Sequence, residues 1–273
     1  MQVITLGTGN PIPSPDRAGP ATLVRAAGRD LLFDCGRGVL MRAAAVATGP
    51  MQFHTVFLTH RHSDHISDLN DVITMQWVMT PGPTPLRIVG PEGTQRLVDL
   101  TLAMLAEDTG YRMDHHETLD YEPVVEVVEV SDGLVSDDGG VRITCAPTEH
   151  SPVKPTVGYR IEADDKVVCI AGDTIPCEGL DRLCHDADLY VQTVVREDIV
   201  AMIPAPRLQD VLDYHSSVTQ AGETAARNNV KALVLTHPVP GVAPGTEQEW
   251  VDQAKAAFDG EVSLASDLDT FTL

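Results

Sequence analysis

The chain of 273 residues carries 40 acidic and 19 basic side chains, a formal net charge of -21, and 43% of its residues are hydrophobic. This size and apolar content are enough for a substantial folded core. Because so negative a surface repels polyanions, we expect no binding of nucleic acid by phosphate neutralisation.

The cysteines and the apolar runs indicate where such a chain works. Five cysteines are an odd number in a chain of this size, which argues against a disulfide framework and for a reducing compartment. No apolar run is long enough to span a membrane, and no basic start precedes an apolar signal core. We therefore expect a soluble cytoplasmic protein that does not interact with membranes.

Strands and helices alternate along the sequence, which predicts a layered α/β protein. Strand patterns occur at residues 3–6, 21–25, 30–36, 55–58, 86–90, 121–130, 141–146, 157–161, 166–171, 188–192 and 231–236, and helix patterns at 37–48, 67–81, 92–106 and 215–229. Residues 107–116 are predicted to be a polar loop with His115 and His116 at the surface, and residues 131–140 a turn region. Without repeats, low-complexity tracts or long linkers, residues 1–273 are expected to form one domain.

The stretch after the strand at 55–58 carries the strongest chemical signal. His60, His62, Asp64 and His65 are four potential ligands within six residues, and imidazole with carboxylate is a donor set that zinc and similar ions prefer. A packed set of titratable side chains at a strand end is costly unless something positive binds there. The residues therefore predict a metal site.

Other polar side chains also follow apolar strands, so they are expected on the same rim. These are His150, Asp173 and His237, with His215 at the start of a predicted helix. Five histidines and two aspartates are enough for two metals, each with an open position for water. Two nearby cations lower the pKa of a shared water, so the chemistry expected of the site is hydrolysis by a metal-bridging hydroxide.

The motif H-x-H-x-D-H, followed by a distant His, Asp and His, resembles the metallo-β-lactamase superfamily. The resemblance implies a four-layer αββα sandwich with a dinuclear metal site at the strand ends. It also implies how the ligands divide: His60, His62 and His150 on one metal, Asp64, His65 and His237 on the other, with Asp173 bridging. The implied cofactors are two divalent ions, with zinc as first choice and manganese or iron as alternatives, because similar ligands serve all three.

Three further stretches, at residues 6–9, 33–38 and 215–217, resemble the branch that contains tRNase Z and the arylsulfatase-like enzymes. In that branch the histidine of the last stretch lies by the metals and can protonate a leaving group. Asp64 and His215 are accordingly the catalytic candidates. The resemblance also implies a homodimer.

Three functions compete: a hydrolase of small esters (sulfate, phosphodiester, carboxylic ester or lactone), the tRNA 3′-processing endonuclease, and a non-catalytic binding protein. All seven ligand positions are filled, which disfavours the third. The clamping arm of tRNase Z lies between the third and fourth metal motifs, yet His150 and Asp173 are only 23 residues apart. Pro15 and Asp16 stand where that family has a basic residue. Together with the net charge, these departures favour an arylsulfatase-like hydrolase of a small ester, with tRNase Z as the alternative.

Overall fold

The computed structural model describes every residue from Met1 to Leu273. The strands are β1 Gln2–Gly7, β2 Ala21–Ala26, β3 Arg29–Phe33, β4 Thr55–Phe57, β5 Leu86–Gly90, β6 Val125–Glu129, β7 Gly133–Asp138, β8 Val141–Pro147, β9 Val157–Ala163, β10 Lys166–Ile170, β11 Leu189–Val195, β12 Ala232–Val239, β13 Glu261–Leu264 and β14 Thr270–Thr272. The helices are α1 Val39–Ala45, α2 Ser63–Ile66, α3 Leu69–Met79, α4 Thr94–His115, α5 Glu178–Cys184, α6 Glu197–Val200, α7 Pro206–Gln209, α8 Val218–Arg227 and α9 Glu247–Lys255.

The strands form two seven-stranded mixed sheets. The first has the order β14-β1-β2-β3-β4-β5-β6, and the second has the order β13-β12-β11-β10-β9-β8-β7. Strands β3 to β6 run parallel in the first sheet, as do β10 to β13 in the second. The inner faces of the two sheets pack together through buried side chains such as Phe33, Phe57 and Tyr159, with the two phenylalanine ring centroids 4.8 Å apart.

Helices cover the outer face of each sheet. Val39 of α1, Val72 of α3 and Val98 of α4 are buried against the first sheet. Ala221 of α8 and Trp250 of α9 are buried with the outward side chains of the second sheet. Burying one such large apolar side chain contributes about 1.5–3 kcal/mol, so each outer layer is fixed by its own core. The architecture is the αββα sandwich expected from the resemblance.

The two sheets place several strand ends on one rim. The chain leaves β4, β8 and β10 just before His60, His150 and Asp173, and His237 lies near the end of β12. Strands β8 and β10 point the same way because each is antiparallel to β9. The predicted convergence of these polar residues therefore follows from sheet topology.

Two regions contradict the sequence prediction, and α5, α6, α7, α9, β13 and β14 form where no helix or strand was predicted. Helix α4 continues to His115 where a polar loop from residue 107 was predicted; an Arg112–Asp108 pair, 2.7 Å between Nε and Oδ2, supports these exposed turns despite the low helix propensity of Gly110. His115 and His116 are exposed, as predicted. Residues 131–140, predicted as turns, contain the edge strand β7, whose pairing with β8 outweighs its unfavourable Asp and Ser content. None of the helices has the length and apolar composition that crossing a bilayer requires.

Candidate metal centre

The seven predicted ligands meet at the rim between the two sheets. His60 and His62 follow β4, and the short helix α2 carries Asp64 and His65. The second sheet contributes three side chains, those of His150, Asp173 and His237. Six of the seven are buried, and His62 is half-buried at the opening of the site.

One group consists of His60, His62, His150 and Asp173, whose potential ligand atoms all lie within 4.8 Å of one another. Nε2 of His150 is 3.1 Å from Nδ1 of His62. Oδ2 of Asp173 is 3.7 Å from Nε2 of both His60 and His150. These separations suit nitrogen and oxygen atoms that point toward one shared cation.

The second group consists of Asp64, His65 and His237, also within 4.8 Å. Oδ2 of Asp64 is 3.1 Å from Nε2 of His237 and 3.7 Å from Nε2 of His65. Asp173 reaches this group too, since its Oδ1 is 3.5 Å from Nε2 of His65 and its Oδ2 is 3.8 Å from Nε2 of His237. Asp173 thus stands between the two groups, where a bridging ligand would have to be.

Contacts with neighbouring residues orient three of the imidazole rings. Nδ1 of His150 donates to the carbonyl oxygen of Tyr214 at 2.8 Å, and Nδ1 of His65 donates to Oδ2 of Asp34 at 2.8 Å. Nδ1 of His60 lies 3.0 Å from the hydroxyl of Thr59. With Nδ1 engaged, each ring presents Nε2 to the centre, as metal-binding histidines do.

The residues fit a divalent cation. Nε2 of His60, Nε2 of His65 and Oδ1 of Asp173 are buried atoms that have no hydrogen-bond partner in the protein. A buried polar atom left unpaired costs about 1–3 kcal/mol. Three such atoms that face one another across a few ångströms are explained by a positive charge between them, and imidazole with carboxylate is a donor set for such ions.

Burial and neighbouring charges separate the pKa values of the two groups. Burial lowers the pKa of His150 to about 4, and burial also lowers the pKa of His60 and of His62. Burial alone would lower the pKa of His65 as well, but the carboxylates of Asp173 and Asp34 outweigh it and raise that pKa well above its usual range. The first group therefore presents neutral imidazoles at pH 7, whereas His65 retains a proton that an incoming metal must displace.

Asp34 is a functional residue that the sequence reasoning did not select. Its Oδ2 accepts from His65 and from the Thr59 hydroxyl, and its Oδ1 accepts from the Thr59 backbone N–H at 2.8 Å. The backbone of Asp34 is left-handed, with φ of 61°, a conformation that Asp tolerates better than most residues. Like several of the ligands, Asp34 is a polar residue that directly follows an apolar strand, here β3.

A glycine next to Asp173 is required by the geometry. Gly172 has φ of 68°, and a Cβ atom there would lie 2.7 Å from Cβ of Thr59. Gly172 thus lets the chain after β10 turn toward the chain after β4. The side chain of Asp173 reaches the centre through this close approach of the two sheets.

His215 lies directly against Asp173. Its Nε2 is 3.2 Å from Oδ2 of Asp173, and its Nδ1 is 3.0 Å from the carbonyl oxygen of Val211. Both ring nitrogens therefore face acceptors, which favours the doubly protonated ring. Burial lowers the pKa of His215, but the hydrogen bond to Asp173 and its charge outweigh burial and raise the pKa. The ring can hold a proton beside the centre, and its ligand atom is also close enough to Asp173 and His237 for metal binding.

A cleft opens over the centre between two surface segments, and we call it the loop cleft. One wall is Asn10, Pro11 and Ile12 from the loop after β1, and the other includes Arg207, Leu208 and Val211 from the segment before α8. His62, Asp173, His215 and His237 form the floor. The volume is about 220 Å³ and the walls are mainly apolar. Any molecule that enters the cleft meets the centre.

Comparison with known proteins supplies the remaining observations. Residues 29–238 match the model of the β-lactamase superfamily domain. The chain is 54% identical over 270 residues to the ribonuclease Z of Mycobacterium avium, covering 98% of this chain and 96% of that protein. Two solved structures share the fold: the metallo-β-lactamase fold protein YhfI from Bacillus subtilis (TM-score 0.76, 20% identity, covering 99% and 98% of the two chains) and the short form of human tRNase Z (TM-score 0.72, 24% identity, covering 100% and 99%).

These relatives correct two expectations. The main prediction, an arylsulfatase-like hydrolase of small esters, is wrong, because proteins that share about half of the residues over nearly the whole chain are ribonucleases. The argument from a missing arm fails for a simple reason. The mycobacterial relative has almost no length beyond this chain, so its name does not depend on an inserted arm.

The expectation that the protein binds no nucleic acid is also wrong, because these relatives are ribonucleases. The physical error was to judge the surface around the site by the net charge of the whole chain. Most Lys and Arg side chains away from the rim form ion pairs, for example Arg29 with Asp138 and Arg182 with Asp132. Arg61, Lys154 and Arg207 have no carboxylate oxygen within 4.0 Å; Arg207 lines the loop cleft, and Arg61 and Lys154 lie close in sequence to the ligands His60, His62 and His150. A polyanion that approaches the site meets this local charge before the global one.

Proposed function

The chain belongs to the ribonuclease Z family of the β-lactamase superfamily, and from that premise we propose that it is a metal-dependent endoribonuclease that cleaves the 3′ trailer from precursor tRNA. The observation that carries the proposal is the 54% identity to a ribonuclease Z over 270 residues, nearly the whole chain. The assembled donor set supports it, because a family member that had lost catalysis would have no reason to retain every ligand position. The scissile bond is then a phosphodiester.

The proposed ligands are the seven side chains already described, with His60, His62 and His150 on one ion, Asp64, His65 and His237 on the other, and Asp173 shared. We propose two divalent ions, with zinc as first choice. Ions held there would lower the pKa of a bound water and would offset the charge of the phosphodiester. Asp34, Thr59 and the Tyr214 carbonyl keep the imidazole rings oriented, so the donor atoms need little rearrangement when ions bind.

His215 is proposed as the group that protonates the departing oxygen. Its Nδ1–H is held by the Val211 carbonyl, which leaves the Nε2 proton as the one to transfer. That proton lies beside Oδ2 of Asp173, at the floor of the loop cleft. A ribose oxygen is a poor leaving group, so a positioned acid there contributes about 10²–10⁴-fold to the rate.

The rim cations are proposed to contact the RNA backbone. Arg61 lies in sequence between two ligand histidines, and its guanidinium lies 3.5 Å from the backbone carbonyl oxygen of Lys154, so these two basic residues are neighbours. Arg207 lies in the wall of the loop cleft. An acidic enzyme that must bind RNA needs unpaired positive charge only where the phosphates pass.

The experiment is cleavage of a precursor tRNA with a short 3′ trailer by the metal-loaded protein. We expect one cut that separates the trailer from the tRNA, with nearly complete loss of this activity in His62→Ala. The exposed His54, which lies outside the centre, provides the matched control His54→Ala, which should retain activity. A metal-loaded wild-type protein that leaves the precursor intact would refute the proposal.

A further inference from the structure

The loop cleft contains apolar side chains that the chemistry of phosphodiester cleavage does not use. Ile12 is 60% exposed at the tip of the loop after β1, and no protein side chain covers it. Leu208 and Val211 belong to the other wall and are only half-buried. Exposed apolar side chains that line a concavity above a reactive centre are typical of a ligand contact surface.

The size of the cleft limits what it can hold. Its volume of about 220 Å³ is several times the ~30 Å³ that one water occupies in the liquid. It is smaller than the ~300–1,000 Å³ of pockets that enclose drug-sized ligands. One planar ring system fits, whereas a base pair or several stacked bases do not.

We propose that the loop cleft binds the unstacked nucleobase of one nucleotide at the cleaved bond, with Ile12 and Leu208 packed against the base and Arg207 on the adjoining backbone phosphate. This inference rests on the proposed ribonuclease function and names the part of the RNA that the site recognises. Proteins bind single-stranded RNA in this way, with bases packed on apolar or aromatic side chains and cations along the backbone. Arg207 is available for this contact because no carboxylate lies within 4.0 Å of it.

The position of His215 assigns the base to one side of the phosphate. His215 lines the cleft, and its Nε2 is the proposed proton donor to the departing oxygen. A nucleotide whose base occupies the cleft therefore has its ribose next to Nε2 of His215. The recognised nucleotide is the one that leaves with a free hydroxyl, and the nucleotide across the phosphate lies outside the cleft.

A double-mutant cycle between protein and RNA tests the proposal. Precursor tRNAs carry a single abasic site at the nucleotide on the leaving-oxygen side or, as the RNA control, at the nucleotide across the phosphate. The proteins are wild type, Leu208→Ala, and Met202→Ala as the matched control, since Met202 lies in the same segment, is 77% exposed and does not line the cleft. The measured quantity is kcat/KM.

Stacking of one base is worth about 1–3 kcal/mol, which corresponds to a loss of about 5- to 150-fold when the base is removed. We expect this loss at the leaving-side nucleotide in wild type and Met202→Ala, and a loss of less than about threefold in Leu208→Ala, which no longer holds the base. The RNA control should show equal, small losses in all three proteins.

A fluorescence measurement gives a second readout that needs no cleavage. A precursor with 2-aminopurine at the leaving-side nucleotide is mixed with metal-loaded protein in a stopped-flow instrument, and the change in emission that precedes cleavage should be larger for wild type than for Leu208→Ala at saturation. Losses that are equal in wild type and Leu208→Ala, or coupling at the nucleotide across the phosphate, would overturn the inference. If wild type does not cut the unmodified precursor, the proposed function fails first, and this inference fails with it.

Discussion

The Nδ1 atom of His65 lies 2.8 Å from Oδ2 of Asp34, which links a buried imidazole of the centre to a carboxylate that does not reach the centre itself. Asp34 also holds the backbone and hydroxyl of Thr59, the residue before His60. One carboxylate therefore orients both the start of the H-x-H-x-D-H stretch and its last histidine.

Replacing this carboxylate should weaken metal binding without removing a ligand. Asp34→Asn keeps the size of the side chain and tolerates the left-handed backbone, but its neutral oxygen supports His65 less. We expect metal affinity to fall about 10–100-fold, measured by competition with a chromophoric chelator. Asp138→Asn, an exposed aspartate paired with Arg29, is the control. Unchanged affinity in Asp34→Asn would show that the hydrogen bond does not support the centre.

The stoichiometry of metal binding follows from the two groups of side chains. Wild type should bind about two divalent ions per chain, and His62→Ala about one, because Asp64, His65 and His237 remain together. Asp173→Ala should lose most of both ions, since Asp173 lies within 3.8 Å of side chains in each group. Elemental analysis after dialysis measures this. Full occupancy by a single ion in wild type would contradict the dinuclear site.

Proton release should differ between the two groups. At pH 7 the raised pKa of His65 means that metal binding to Asp64, His65 and His237 displaces about one proton, and that affinity falls about tenfold per pH unit as the pH drops further. The lowered pKa values of His60, His62 and His150 predict little release from the first group at pH 7.

Titration calorimetry in two buffers of different ionisation enthalpy measures the protons released. The variant His62→Ala isolates the second group, and the difference between wild type and this variant gives the first. Equal release from both groups would show that Asp34 and Asp173 do not keep His65 protonated.

The role of His215 can be separated from support of the centre by the leaving group. His215→Ala should lose about 100-fold or more on precursor tRNA, whose ribose oxygen needs a proton. The loss should be much smaller on bis(4-nitrophenyl) phosphate, because nitrophenolate departs without one. Metal content of the variant is measured alongside. Equal losses on both substrates, or loss of metal, would assign His215 to positioning Asp173.

The rim cations predict a specific salt dependence. Arg61→Gln and Lys154→Gln should each weaken tRNA binding and reduce the slope of log K against log salt by about 0.9, the value for one phosphate contact on a duplex. Arg182→Gln is the matched control, because Arg182 is exposed but already paired with Asp132. Slopes that stay parallel for all proteins would place the RNA elsewhere.

The strand ends and their ligands could be predicted because short-range patterns determine them. The apolar run of β4 followed by four closely spaced donors needs no knowledge of distant contacts. The grouping of donor atoms depends on sheet packing, and only the family resemblance supplied it in advance. Asp34 carried the same signal of a polar residue after a strand, but its partner His65 lies 31 residues away, and a single aspartate gives no indication of its contact.

Part of the error came from using the net charge and composition of whole segments, which hide the contacts of individual residues. Net charge does not show that Arg182 is neutralised by Asp132 while Arg61 has no such partner. Strand β7 and the second half of α4 depend on pairing with β8 and on local ion pairs that composition does not reveal. The function was misassigned because the net charge of the whole chain was used to judge a local surface and because the absence of an inserted arm was taken to exclude tRNase Z.

The distribution of the donors between the sheets has a mechanical consequence. His60, His62, Asp64 and His65 follow a strand of the first sheet, whereas His150 and Asp173 follow strands of the second and His237 lies near the end of β12. Ions bound there would crosslink the two sheets along one edge, whereas the opposite edge is held by apolar packing and by ion pairs between the sheets such as Arg29 with Asp138. Loss of the ions should therefore let the two sheets separate first at this rim. Amide hydrogen exchange should then speed up at the ends of β4 and β10 before it does so in the middle of either sheet.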